Sequence, residues 1–86
     1  MNIMPDNAQK DDVEFIDTML GRLTPTLRER ARMGYDEVFT STMDDCTIEH
    51  KKLNRARYAA NTRLRLFVEK FARASMGYTD KPPLVK

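Results

Sequence analysis

The sequence predicts an all-α fold: a small three-helix protein with two shorter N-terminal helices and one long basic C-terminal helix, packed antiparallel. Three observations carry this expectation. Only three glycines and four prolines interrupt the 86 residues, and good helix formers such as Ala, Leu, Arg, Lys and Glu fill much of what remains. Apolar residues recur at three- and four-residue spacing in three separate stretches. Helix start and stop signals fall between those stretches.

Residues 1–10 are polar, carry Pro5, and are expected to form a flexible lead-in. Asp11 or Asp12 can cap the first helix, and Asp12, Glu14 and Asp17 favour the positive end of its dipole. Val13, Phe15, Ile16, Met19, Leu20 and Leu23 form its apolar stripe. Gly21 suits a left-handed C-cap.

Thr24-Pro25 opens the second helix, with threonine as the cap and proline at the first position. Thr26 with Glu29 offers an alternative capping box. The helix is expected to run to Thr42 or Met43. Leu27, Ala31, Gly34, Tyr35, Val38, Phe39 and Thr42 share one face, and a close helix–helix approach would account for Gly34. Asp44-Asp45 opposes the C-terminal dipole, which places the turn near residues 43–47.

The third helix is expected from about Thr47 to Ser75 or Met76, with Gly77 as its stop. That is roughly 28 residues, or about 42 Å. Its main stripe is Leu53, Ala56, Ala60, Leu64, Phe67 and Phe71, with Val68 at the edge. Ile48, Ala59 and Leu66 make a second, weaker stripe, a seam on which a homodimer could form. Residues 77–86, with Pro82-Pro83, are expected to be an extended tail. The whole chain, 1–86, reads as a single helical domain of a size whose core is small.

Charge is distributed unevenly. Residues 1–45 hold five basic and ten acidic side chains, a net of −5, whereas residues 46–76 hold eight and two, a net of +6. Either the halves neutralise one another, or the basic helix meets an external anion. The candidate contact residues are Lys51, Lys52, Arg55, Arg63, Arg65, Leu66 and Arg73. Arginines suit bidentate contact with phosphate or carboxylate. Tyr58, Asn54 and Asn61 lie among them and can stack or read polar edges. Arg57, close to the apolar stripe, is expected to snorkel or to pair with Asp36 or Glu37 of the second helix.

Other chemistries find little support. A single cysteine, Cys46, excludes an intrachain disulfide and fits a reducing, cytoplasmic setting. No signal peptide or membrane span is expected. Cys46 and His50, four apart, are one thiol and one imidazole, short of the four ligands of a structural zinc. They also lack the orienting group and oxyanion donors of a nucleophilic site. The expectation is a non-enzymatic protein without metal or cofactor.

The run Glu49-His50-Lys51-Lys52-Leu53-Asn54-Arg55-Ala56-Arg57-Tyr58-Ala59-Ala60-Asn61-Thr62-Arg63-Leu64-Arg65-Leu66-Phe67-Val68 resembles a segment of small uncharacterised helical proteins of temperate tailed phages. Those proteins also place a Leu/Pro turn and a Tyr-containing helix before it, as Leu23-Thr24-Pro25 and Tyr35 do here. The resemblance spans roughly residues 13–72 and carries no catalytic motif. It implies a phage or prophage origin among early or replication-region genes, inside a bacterial host cell. It also implies a small protein acting on a host or phage protein, as an adaptor or inhibitor. Nucleic-acid binding through phosphate contacts by the same helix is the alternative.

Overall fold

The first helix begins where the carboxylate of Asp12 turns inward. A 3-10 turn at Lys10–Asp12 leads directly into helix α1, Val13–Leu20. The computed structural model describes residues 2–75, with side chains as far as Phe71. Two further helices follow, α2 at Pro25–Asp45 and α3 at Lys52–Ser75, and a second 3-10 turn, Glu49–Lys51, precedes α3. Among the described residues the chain is helical, with no strand. None of these helices is long and apolar enough to cross a membrane.

Thr24 caps α2 as its sequence predicts: its hydroxyl oxygen accepts the Leu27 N–H at 3.5 Å, and Pro25 takes the first helical position. The expected ends shift elsewhere. Helix α2 continues through Asp44 and Asp45, and Cys46 closes it by donating its N–H to the Thr42 carbonyl. Both aspartates are exposed, where water weakens their opposition to the helix dipole. The connection is correspondingly later, with Cys46 and Ile48 extended and α3 starting at Lys52 rather than near Thr47.

The core joins all three helices. Ile16, Leu20 and Leu23 come from α1 and its exit, Ala31, Tyr35 and Phe39 from α2, and Ala56, Ala60, Leu64 and Val68 from α3. Phe15, Met19, Leu27, Val38, Met43, Phe67 and Phe71 pack around them, partly buried. The α3 contribution corrects the expected stripe. Its buried line follows every fourth residue and so rotates by about 40° per step. Val68, expected at the edge, is fully buried, whereas Leu53 in the first turn of α3 is 44% exposed.

The expected flexible lead-in is tied down instead. Asn2 donates its backbone N–H to Asp17 Oδ1 at 2.7 Å and its side-chain amide to the Asp17 carbonyl oxygen at 3.1 Å. The backbone N–H groups of Asp6 and Asn7 converge on the two carboxylate oxygens of Asp36 at 3.0 and 2.8 Å. Pro5 is buried, and Met4 and Ala8 pack against the core. Residues 2–9 therefore form a strap across α1 and α2. Charged hydrogen bonds of this kind are stronger than neutral ones, and they engage the very Asp36 that was expected to meet Arg57.

Both glycine expectations change. Gly21 is right-handed, with φ −63°, so no left-handed cap exists there. A Cβ at this position would lie 3.3 Å from the Asp17 carbonyl oxygen and 3.6 Å from the Asn2 amide nitrogen, so its bareness makes room for the strap. At Gly34 no close helix approach is found: the nearest atom to an added Cβ would be Arg63 Nη2 at 3.9 Å.

Candidate interaction surface

Asp12, 8% exposed, holds the fold's central polar contact. Arg57 donates from Nε to its Oδ2 at 2.8 Å and from Nη2 to its Oδ1 at 2.9 Å. This corrects the expected partner of Arg57, which lies in the turn before α1 and not on α2. The choice follows from geometry, since Asp36 is held by the strap and Glu37 is exposed. Asp12 makes no capping hydrogen bond to the helix it precedes. Its carboxyl titrates below its ordinary value, because Arg57 hydrogen-bonds the ionised form against the opposing effect of burial, with further help from Asn61. Tyr35, wholly buried, donates its hydroxyl to Asn61 Oδ1 at 2.7 Å. Burial pushes the Tyr35 phenol up to about 12.

Arg57 and Asn61, both partly buried, are thereby committed to contacts within the fold. The other residues singled out from the sequence divide around α3. Lys51 lies exposed in the 3-10 turn, and Arg55 is exposed one turn later. These two line a shallow depression with Asn54 and Tyr58, and Tyr58 is 74% exposed. Leu66, half exposed, continues this strip along the helix. Lys52 is half-buried, with its ammonium 3.4 Å from a Glu49 carboxylate oxygen. Arg65 donates to Glu69 Oε2 at 3.1 Å. Arg63 turns over Gly34 of α2. Two helix positions apart, Arg63 and Arg65 point about 160° away from each other, so they do not form one patch. The Arg73 side chain and the expected extended tail, residues 77–86, lie outside the described residues.

The mutual neutralisation of the two halves is scarcely realised. Among the described residues, Arg57–Asp12 is the ion pair that joins separate elements. The remaining pairs, Arg32–Glu29, Lys52–Glu49 and Arg65–Glu69, are local, three or four residues apart. Exposed local pairs contribute little to stability. Lys51 and Arg55 have no ion-pair partner among the described residues.

Helix α2 carries a surface that the sequence reading missed. Met33, Asp36, Glu37, Thr40, Ser41, Asp44 and Asp45 line one outward groove. The signal was present as a three- and four-residue spacing of Met33, Glu37, Thr40 and Asp44, hidden because the acids were counted for the chain half and not for a helix face. Cys46 is buried, with its thiol 3.6 Å from the Ile48 carbonyl oxygen, and His50 is exposed. Among the described residues no three His, Cys, Asp or Glu side chains gather as metal ligands would. What the α3 surface offers is ion pairing, amide hydrogen bonding and an aromatic face. The chain matches no protein-family model, no curated protein and no solved structure.

Proposed function

We propose that the chain is a non-enzymatic binding module whose long basic helix, α3, docks on an acidic protein surface. One observation carries this reading: Lys51 and Arg55 are exposed, have no ion-pair partner among the described residues, and flank the bare ring of Tyr58. Arginine and tyrosine dominate the energetics of protein interfaces, because both combine apolar area with directed hydrogen bonds. Leu66, at 50% exposure, adds apolar area on the same side of α3 as Arg55. In this reading α2 and α3 run antiparallel, supported by two contacts: Arg30 lies over the Phe71 ring while Tyr35, further along α2, meets Asn61, earlier on α3. The likeness to temperate-phage proteins supports a host or phage protein in the bacterial cytoplasm as the partner.

A second reading has support of its own. The carboxylates of the α2 groove leave Lys51 and Arg55 unpaired, so phosphates could reach the α3 cations. The two readings separate in one comparison, an Arg55→Glu, Tyr58→Ala variant against wild type, with helicity checked by circular dichroism. Loss of specific proteins from an affinity capture supports protein docking, and an unchanged set of captured proteins overturns it. Gel retardation of duplex DNA that falls with salt at about −0.9 in log–log slope per neutralised phosphate would favour the second reading.

A further inference from the structure

We infer that the partner of the α3 surface is the α2 groove of a second copy of this chain, forming a two-fold dimer. The inference rests on the protein-docking reading of α3 and names its partner.

Helix α1 and the strap cover one side of the α2–α3 pair. On α2, Arg28 donates from Nε to the Leu20 carbonyl oxygen at 2.9 Å, and Asp36 receives the strap. On α3, Arg57 turns to Asp12 on the same side. At about 100° per residue, the opposite side of α2 presents Glu37, Ser41 and Asp44. The opposite side of α3 presents Arg55, Ala59 and Leu66. One side of the pair is therefore left open, acidic along α2 from Glu37 to Asp44, with Arg30 before them over the Phe71 ring, and basic with apolar patches along α3.

A rotation axis parallel to the helices brings two such sides together with α2 of each copy against α3 of the other. Surfaces related in this way must be self-complementary, and here they are. Such a rotation keeps every residue at its own height. The contacts of Tyr35 with Asn61 and of Arg30 with Phe71 fix the heights within one chain. Counted from these, Asp44 stands level with Arg55, and Met33 with Leu66. Across the interface, opposite charges meet and the two exposed apolar side chains, 64% and 50% exposed in the single chain, cover one another. Both charged partners lack ion pairs within the chain among the described residues. A core limited by so short a chain gains apolar burial from the same contact.

The test is sedimentation equilibrium of the full chain at low and high salt, with charge-reversed variants. Wild type should reach twice the 10.0 kDa of one chain, and its association should weaken as salt rises. Arg55→Glu and Asp44→Lys alone should each weaken association at least ~10-fold, and the two together should restore it to within ~3-fold of wild type. Restoration cannot come from a misfolded chain, so it separates docking from damage. A wild-type monomer at about 100 µM and low salt, or a double variant no better than the singles, overturns the dimer. If the chain is monomeric and Arg55→Glu still loses captured acidic proteins, the dimer fails and the docking role of α3 survives. If wild type dimerises and the double variant restores association, the dimer stands even where no other protein is captured.

Discussion

Arg57 and Asp12 face each other across 45 residues of chain, with two parallel hydrogen bonds of 2.8 and 2.9 Å between guanidinium and carboxylate. The pair locks the start of α1 to α3. Asp12 is buried, so removing Arg57 strands a carboxylate away from full hydration. Arg57→Ala should lower the thermal midpoint several times more than Arg65→Ala, whose exposed pair with Glu69 is worth under about 0.5 kcal/mol. Paired thermal melts by circular dichroism check this.

The same pair sets an acid limit. The folded carboxyl of Asp12 titrates below its ordinary 3.8. Its contribution to stability is therefore complete above the unfolded value and is lost as pH falls from about 4 through the lower folded value. Urea midpoints should be level above that window and drop within it. Arg57→Met should flatten the part of the drop that Asp12 causes, leaving the part due to Asp17, which Asn2 also holds below its ordinary value.

At the other end of the scale, Tyr35 limits alkaline stability. Its phenol is raised from 10.0 to about 12 by burial. The neutral form is thus favoured by folding, and this contribution is present below pH 10 and fades as pH climbs toward 12. Tyr35→Phe should remove that alkaline loss. At neutral pH it should cost about 1 kcal/mol, because the Asn61 oxygen loses its 2.7 Å donor. Urea titrations at neutral and alkaline pH test both statements.

Two leucines of α3 give a direct measure of where the core lies. Leu64 is 2% exposed and Leu53 44%. Leu64→Ala should destabilise by about 2–5 kcal/mol through lost burial and a residual cavity. Leu53→Ala should stay within about 0.5 kcal/mol. Equal losses at both sites would contradict the observed line of burial.

Gly34→Ala should stabilise the chain by about 0.5–1 kcal/mol, since it removes a helix-interior glycine and its Cβ meets only Arg63 Nη2 at 3.9 Å. Gly21→Ala should give no such gain, because its Cβ sits 3.3 Å from a fixed carbonyl oxygen beside the strap. Chemical denaturation of both variants decides between these signs.

The three helices and most of their core were legible because apolar spacing and the Thr24-Pro25 cap are local signals. The fate of Leu53 was not. It shares the angular position of buried residues on α3, and only the placement of the other helices decides which turns of a stripe are covered. Arg57 shows the same limit: a cation near an apolar stripe announces a partner, but the identity of that partner depends on where α1 docks. Asp36 was assigned to side-chain pairing when backbone N–H groups of the strap take it, a use of carboxylates that leaves no spacing signature. The exposure of Lys51, Arg55 and Leu66 was legible from residue type and period. Arg63 was grouped with Arg65 although two helix positions cannot share a face.

The strap gives the molecule an order of assembly. Its bonds to Asp36 span 29 and 30 residues, and the Asp12–Arg57 bridge spans 45, whereas α2 and α3, which pack on each other, are joined by the short connection at residues 46–48. Closing a short loop costs less entropy than closing a long one. The α2–α3 pair is thus the natural folding nucleus, and the N-terminal segment docks on it afterwards. In the native state the order reverses: the strap, held by its hydrogen bonds to Asp17 and Asp36 and by the packing of Met4, Pro5 and Ala8, releases first. Its amides should exchange with solvent while those of the helical core remain protected.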